Sequence, residues 1–144
     1  MKNQKSETYI INNFDELSLL CKKISERLQE KHIILLNGVM ASGKTTFVQY
    51  LVKELGGAFV SSPTFAIHQA YKIDRGQADH LDLYRLKNEH DLESTGFWDL
   101  FEKDSGLILI EWADRLHGQW WPPQWSVMSL RFFEDENTRC VEIT

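Results

Sequence analysis

The stretch that decides the fold is "LNGVMASGKTTFVQYLVKEL", residues 36–55. Within it, "GVMASGKT" (38–45) matches the pattern G-x-x-x-x-G-K-[ST] in full. The apolar run "HIILLNG" (32–38) predicts a buried strand before it, and apolar residues at helical spacing over 47–55 predict a helix after it. A strand, a glycine-containing loop and a helix in this order form the setting in which such a loop binds nucleotide phosphates.

The chemistry of the loop lies in its glycines, its lysine and its hydroxyls. Glycine lets backbone N–H groups surround the phosphates, and the helix N-terminus adds the positive end of its dipole. We expect Lys44 to reach the β- and γ-phosphates and the Thr45 hydroxyl to coordinate Mg²⁺. The predicted nucleotide-binding residues are Gly38, Ala41, Ser42, Gly43, Lys44, Thr45 and Thr46.

Two acidic residues lie where a carboxylate could serve a bound nucleotide. Asp82 in "HLDLYR" stands between leucines in a predicted strand, where a carboxylate is costly unless it meets a metal ion or a cation. Glu111 ends the apolar run "LILIE", and the carboxyl ends of strands face the ligand crevice in an open α/β sheet. From the residues alone, each could also be a solvated carboxylate at an exposed strand position.

Other side chains leave alternatives open. His80 and Asp82 share a strand face and could bind a transition metal, but no third ligand is evident, so a structural or supporting role for His80 is favoured. Thr64 in "SSPTF" (61–65) could offer its hydroxyl to a metal ion or γ-phosphate, or the segment could be an ordinary turn. Arg85 is expected on the surface, with phosphate or partner contact as the alternative. We expect core packing for three tryptophans near the C-terminal strands, and a partner-binding patch is the alternative. They are Trp120, Trp121 and Trp125.

Alternating strand and helix patterns predict an α/β fold. Asn13 and Glu16 form a capping-box-like start for a helix that ends near Glu30. Residues 66–73 and 78–86 predict two strands, 88–104 a helix-compatible segment interrupted at Gly96, and 106–112 a strand buried on both faces. Two antiparallel strands are predicted around a turn at 134–137. The predicted fold class is α/β, a single-domain P-loop NTPase-like mixed β-sheet flanked by helices, with antiparallel C-terminal strands.

Length and composition exclude several classes of protein. With 144 residues and 42% hydrophobic content, the chain is expected to form one domain over residues 1–144. The net charge of −5 argues against a nucleic-acid-binding surface, so no stable DNA binding is expected. Cys21 and Cys140 lack metal-ligand spacing and should be buried free thiols. No segment approaches the roughly 18 apolar residues of a membrane helix, and no signal-peptide run is present, so a cytoplasmic location is expected.

Four segments in one order, "GVMASGKTTF", "SSPTF", "HLDLYRL" and "IEW", resemble the TsaE (YjeE) family of small bacterial P-loop ATPases. The phosphate-binding loop is shared by very many families, whereas the other three segments at these intervals are specific. The resemblance extends from about Asn13 to Trp112. It implies catalytic roles for Lys44 and Glu111, with Glu111 serving hydrolysis. It also implies Mg²⁺ binding by Thr45 and Asp82, and a switch-like loop around Thr64. Together with the candidates from the residues alone, the predicted metal-binding residues are Thr45, Thr64, Asp82 and Glu111.

The resemblance also implies a function. Family members take part in making threonylcarbamoyladenosine (t6A) on tRNAs that read codons beginning with A. The TsaD and TsaB proteins form the transferring complex, and the family member binds it as an ATPase needed for repeated turnover. The expectation is therefore a Mg²⁺-dependent ATPase that is weak alone, is stimulated by its partners, and reaches tRNA only indirectly through the complex.

Two other functions are open to a chain with this loop. A small-molecule kinase usually needs several arginines in a lid, and the six arginines here are too dispersed in the sequence to suggest one. A guanine-nucleotide switch would need a base-reading motif of the N-K-x-D type, which the sequence does not contain. ATP is therefore the expected nucleotide.

Overall fold

Seven strands form one sheet in the computed structural model, which describes residues 6–38, 43–58, 68–84, 96–113 and 121–144. In chain order the elements are β1 (Glu7–Ile10), α1 (Phe14–Arg27), β2 (Lys31–Gly38), α2 (Lys44–Glu54), β3 (His68–Ile73), β4 (Gly76–Asp82), a 3₁₀ helix (Phe97–Glu102), β5 (Gly106–Glu111), β6 (Ser126–Asp135) and β7 (Thr138–Ile143). No helix within the described ranges is long and apolar enough to cross a membrane.

Strand pairing is parallel at the centre of the sheet and antiparallel at its edges. The strand order is β1-β7-β6-β2-β5-β4-β3. β2 runs parallel to both β5 and β6, and β4 runs parallel to β5. β3 extends one edge antiparallel to β4, while β7 and then β1 extend the other edge antiparallel to β6. The predicted α/β fold, with a mixed sheet, flanking helices and antiparallel C-terminal strands, is confirmed.

Apolar side chains cover both faces of this sheet. α1 and α2 pack on one face, where their buried residues join those of the central strands in one core cluster. The 3₁₀ helix and Trp125 pack on the other face in a second cluster. Every residue of β5 is buried, so the prediction of a strand buried on both faces is confirmed. A strand in this position needs an apolar residue at nearly every step, and β5 departs from that rule only at its last residue, Glu111.

α1 begins at the predicted capping residue. The Asn13 side chain accepts a hydrogen bond from the Glu16 N–H at 2.9 Å, and the Glu16 carboxylate accepts one from the Asn12 N–H at 2.7 Å. These reciprocal bonds satisfy donors that have no backbone partner where the chain enters the helix. The helix ends at Arg27, earlier than the predicted end near Glu30, because the next residue adopts an extended conformation.

The described part of the segment 88–104 is a 3₁₀ helix rather than an α-helix. It begins after Gly96, whose φ is 74°, and short helical segments commonly adopt this tighter form. Trp125 is buried beside it, and its indole N–H donates to the Phe101 carbonyl at 3.1 Å. Trp121 is half-buried against the same cluster. Trp121 and Trp125 therefore pack with the core, while Trp120 and residues 88–95 lie outside the described ranges.

Both cysteines are buried free thiols, as predicted. The Cys21 thiol faces the Phe47 carbonyl across the interface between α1 and α2. Burial, with a smaller contribution from the negative charge of Glu54, raises the pKa of Cys21 to about 12. Because the thiolate is the reactive form, Cys21 is an inert core residue.

His32 is a buried histidine at the amino end of β2. Its Nδ1 accepts a hydrogen bond from the Gln29 N–H at 3.0 Å, so the ring hydrogen lies on Nε2, which is buried without a partner among the described residues. Burial, with a smaller effect from the positive charge of Arg75, lowers the pKa of His32 to about 4. The unfolded chain takes up this proton near pH 6.5. Stability is therefore fully present above pH 6.5 and is lost as the pH falls toward 4.

We expect the free energy of unfolding to fall through this residue by up to about 3 kcal/mol between pH 7 and pH 4. His32→Asn keeps an acceptor for the Gln29 N–H but cannot titrate, so its stability should vary less with pH by that amount. Urea unfolding of both proteins across this pH range measures the difference, in which the other titrating groups cancel. Parallel stability profiles would contradict the assignment.

Candidate functional site

The predicted phosphate-binding loop and the two predicted acids meet at one edge of the sheet. Gly38 ends β2 and Lys44 begins α2, with residues 39–42 outside the described ranges. Glu111 is the register partner of Leu36 on β2 and of Asp82 on β4. Because β2, β4 and β5 are parallel, their carboxyl ends bring Gly38, Asp82 and Glu111 to the same edge, beside the N-terminus of α2.

Gly43 starts α2 in a conformation that is open mainly to glycine. Its φ is 101°, and its carbonyl accepts the first bond of the helix from the Phe47 N–H at 2.9 Å. A Cβ at Gly43 would meet no atom within 4 Å, so the backbone angle and not the available space requires glycine here. Gly43, as the N-cap residue, has no side chain that could cap the N-terminus of α2. The N–H groups of its first turn are therefore oriented to bind an anion.

Lys44 is buried at the start of α2, with 4% of its surface exposed. Its ammonium group donates to the Gly38 carbonyl at 2.6 Å, which joins the two ends of the loop. The same group lies 3.6 Å from the centre of the Trp112 ring. A carbonyl and an aromatic face together stabilise a cation in a place that excludes water. The positive charge is thus held at the mouth of the loop, where the sequence predicts phosphate.

Trp112 reaches Lys44 because its backbone turns sharply after β5. Its φ of 61° lies in the left-handed region, which is uncommon for a bulky residue. Its N–H donates to the Leu36 carbonyl at 3.1 Å, and its ring packs against Tyr84 with centroids 4.9 Å apart. The sequence placed Trp112 in a family motif but gave no signal for this contact, because a left-handed tryptophan has no local sequence pattern.

Glu111 is buried and pairs with His80. Nε2 of His80 and Oε2 of Glu111 are 2.5 Å apart, and the two side chains are 1% and 4% exposed. The alternative of a solvated carboxylate is therefore wrong for Glu111. His80 lies on the same face of β4 as Asp82, as expected, but its hydrogen bond goes to the neighbouring strand. The supporting role favoured for His80 agrees with this geometry, whereas within the described residues no three acidic, histidine or cysteine side chains form a metal cluster.

Asp82 and Thr45 have side chains that suit Mg²⁺ but make no all-protein cage. Asp82 is half-buried at the end of β4, and its Oδ1 accepts a hydrogen bond from the Tyr84 N–H at 3.0 Å. Thr45 is half-buried in the first turn of α2. Mg²⁺ commonly takes one or two carboxylates and completes its shell with water and phosphate oxygens, so these residues fit it. Three further predicted site residues, Ala41, Ser42 and Thr64, and the surface candidate Arg85 lie outside the described ranges.

A cavity of about 460 Å³ opens beside the start of α2. Gly43 and Thr46 form the wall nearest the loop, and Phe14, Phe132 and Arg139 contribute other walls. Its size suits a nucleoside, since small-molecule pockets begin near 300 Å³. The sequence did not reveal this cavity because its walls come from both ends of the chain, which the pairing of β1 with β7 brings together.

Comparison with known proteins shows which family shares this arrangement. Residues 11–141 match the model of the family described as "Threonylcarbamoyl adenosine biosynthesis protein TsaE". The chain belongs to the TsaE family. The family resemblance noted from the four sequence segments is thereby confirmed, and it extends past Trp112 to include β6 and most of β7.

Individual TsaE relatives match over most of the chain. The protein of Rickettsia felis named "tRNA threonylcarbamoyladenosine biosynthesis protein TsaE" is 34% identical over 137 residues, covering 94% of this chain and 78% of its own. The protein of the same name from Haemophilus influenzae is 37% identical over 112 residues, covering 72% and 70%. The crystal structure of YdiB from Bacillus subtilis superposes with a TM-score of 0.62 at 22% identity, covering 96% of this chain and 84% of that one. This last likeness concerns the fold alone.

The contact between Lys44 and Trp112 predicts a measurable coupling. Lys44→Met and Trp112→Leu should each lower the free energy of unfolding, and the double variant should lose less than the sum by about 1 kcal/mol. Urea unfolding of the four proteins gives this coupling energy. Lys53→Met at the exposed end of α2 is the matched control and should show none with Trp112→Leu. Additive losses for Lys44 and Trp112 would show that the ring does not stabilise the ammonium group.

Proposed function

We propose that the chain is an ATP-binding and hydrolysing accessory protein in the t6A modification of tRNA. Membership of the TsaE family supports the pathway, because the family model and its relatives carry that description. One structural observation supports the activity: a buried lysine and a buried carboxylate lie at the same sheet edge, beside the N-terminus of a helix that begins at a glycine. That set provides a cation for phosphate and a carboxylate for water within one site.

ATP would bind with its phosphates at the start of α2. Backbone N–H groups of the first turn and the Lys44 ammonium group would contact the phosphate oxygens, and the lysine would exchange its bond to the Gly38 carbonyl for them. The base and ribose would occupy the cavity beside Gly43 and Thr46. ATP is proposed over GTP because the sequence lacks the N-K-x-D motif that reads guanine.

Mg²⁺ would neutralise phosphate charge beside Thr45 and Asp82. The Thr45 hydroxyl and the Asp82 carboxylate are the proposed ligands, and Thr64 is a further candidate. Glu111 is proposed chiefly as the group that orients a water molecule toward the γ-phosphate and accepts its proton. With its Oε2 bonded to His80, Glu111 keeps its other oxygen for that water.

A partner complex would control the rate of hydrolysis. Weak intrinsic activity is common in nucleotide-binding proteins whose catalytic geometry is completed from outside. We propose the TsaD and TsaB proteins as these partners, and tRNA as a substrate reached only through their complex.

The arginines do not favour the alternative of a small-molecule kinase. Among the described residues, Arg27 pairs with Glu7, Arg131 pairs with Glu142, and Arg75 donates to backbone carbonyls near the end of α1. These contacts engage three of the six arginines within the fold. A kinase lid built from several arginines is therefore not supported by this part of the chain.

Turnover of ATP by the full chain, alone and with TsaB and TsaD, tests the proposal. We expect slow hydrolysis alone and a faster rate with the partners. Lys44→Ala should weaken ATP binding at least tenfold and abolish stimulation, because it removes the cation at the loop. Glu111→Gln should bind ATP normally and lose at least tenfold in rate. Vigorous transfer to a small acceptor without partners would instead indicate a kinase, and normal hydrolysis by Glu111→Gln would refute its role.

Two glycines provide a matched test of the loop itself. Gly43 and Gly76 both have φ above 100° and open space around the Cβ position, but Gly76 begins β4, just after the distant β3–β4 turn. Alanine at either position should lower the free energy of unfolding by a similar amount, roughly 1–2 kcal/mol. Only Gly43→Ala should also weaken ATP binding, measured by equilibrium dialysis. Equal ATP affinity for the two variants would contradict phosphate binding at the start of α2.

A further inference from the structure

The hydrogen bond between His80 and Glu111 joins two buried side chains on adjacent parallel strands. Asp82 is directly opposite Glu111 in the register, yet the Glu111 carboxylate bonds to His80, which precedes Asp82 on the same face of β4. An ionised carboxylate can only accept hydrogen bonds, so the ring hydrogen lies on Nε2 of His80 and is donated to Oε2. The bond therefore fixes both the tautomer of the ring and the rotation of the carboxylate.

Within the described residues, the His80 side chain makes its one hydrogen bond to Glu111. Its Nδ1 is buried and has no partner among the described residues. A buried imidazole nitrogen without a hydrogen bond lowers the stability of the fold. An aliphatic residue at this position would leave no polar atom without a partner. The compensating interaction within the described chain is its bond to Glu111.

Asp79, a buried carboxylate on β4 beside His80, provides a comparison with an acidic residue whose role is structural. Asp79 accepts hydrogen bonds from His68 and Gln77 at Oδ1 and from Lys103 at Oδ2. Burial raises the pKa of Asp79, but the bonds from Lys103, His68 and Gln77 outweigh that effect and lower it. Both oxygens of Asp79 are thus committed to the fold.

Glu111 differs from Asp79 in having one donor instead of three. Within the described residues its Oε1 makes no hydrogen bond, although the side chain is only 4% exposed. Oε1 is not one of the fully enclosed polar atoms that lack a partner, so it is open to a ligand or a water molecule. The pair therefore leaves one oxygen of a fixed carboxylate unused at the edge where the loop lies.

We propose that His80 is a positioning residue that holds Glu111 in the orientation needed to align the attacking water. This inference rests on the proposed ATPase function and adds a residue to its mechanism. His80 donates through Nε2 and does not touch nucleotide, so its removal lets the Glu111 carboxylate rotate without removing it. Positioning of this kind lowers the rate of the chemical step and leaves ground-state binding unchanged.

Substitutions at His80 separate this role from simple packing. The amide nitrogen of glutamine lies near the position of Nε2, whereas that of asparagine lies near Nδ1 and does not reach Glu111. We expect His80→Asn and His80→Phe to lower the partner-stimulated kcat for ATP about tenfold with less than a twofold change in KM and in ATP Kd. His80→Gln should retain at least half of the wild-type kcat. His32→Asn, at the opposite end of β2, is the control for loss of a buried histidine and should leave kcat unchanged.

The double variant His80→Phe with Glu111→Gln provides the decisive comparison. If His80 acts through Glu111, the double variant should be no slower than Glu111→Gln alone. Multiplied losses, or a full rate for His80→Phe, would overturn the inference and leave the proposed function standing. Absence of ATP turnover by the wild-type protein with its partners would refute the proposed function, and the positioning role with it.

Nitrogen NMR of the folded wild-type protein supplies a readout that needs neither activity nor a variant at His80. The His80 ring should show a protonated Nε2 and an unprotonated Nδ1, and Glu111→Gln should shift the Nε2 signal while the His32 signals stay unchanged. A protonated Nδ1, or no response to Glu111→Gln, would overturn the inference even if the His80 variants fail to fold.

Discussion

The parallel pairing of β2 with β5 is the constraint on which the rest of the site depends. It sets Leu36 opposite Glu111, and the Leu36 carbonyl then receives the N–H of Trp112 just beyond the strand. That one register fixes how far the buried carboxylate lies from the loop that follows β2. A slip of one residue would exchange the side chains of β5 between two separately packed cores and would move Glu111 away from His80, so it is strongly disfavoured.

The site brings polar and charged side chains together in a region that is buried from solvent. Lys44, His80 and Glu111 are all buried, and each has a partner suited to its chemistry: a carbonyl and a ring for the ammonium, a carboxylate for the imidazole. Buried charges without partners would be strongly destabilising, while the low local dielectric strengthens the interactions that are made. The protein therefore meets the electrostatic requirements of the site in its own structure, and a triphosphate with Mg²⁺ would replace one set of partners with another.

The sequence predicted what local patterns determine. Residues close together in sequence determine the cap at Asn13, the buried strand β5 and the succession of β2 and α2 around Lys44. The structure has each of them. The sequence did not predict contacts that depend on which strands become neighbours. Alternation placed His80 and Asp82 on one face, but no pattern indicates that Glu111 lies on the adjoining strand. Likewise the walls of the cavity come from distant segments, and the backbone angle of Trp112 has no local signature.

The strand order also determines when the protein can complete its fold. β2 pairs with β6, and β1 pairs with β7, in which Ile143 lies opposite Glu7. Strands from the first part of the chain therefore cannot complete their pairing before strands from its last part are present. The apolar strand β2 therefore lacks one of its two neighbours until β6 has formed. Contacts so distant in sequence slow the search for the native state. The pairings that close this sheet therefore link residues far apart in the chain, whereas the capped start of α1 depends only on residues next to it in sequence.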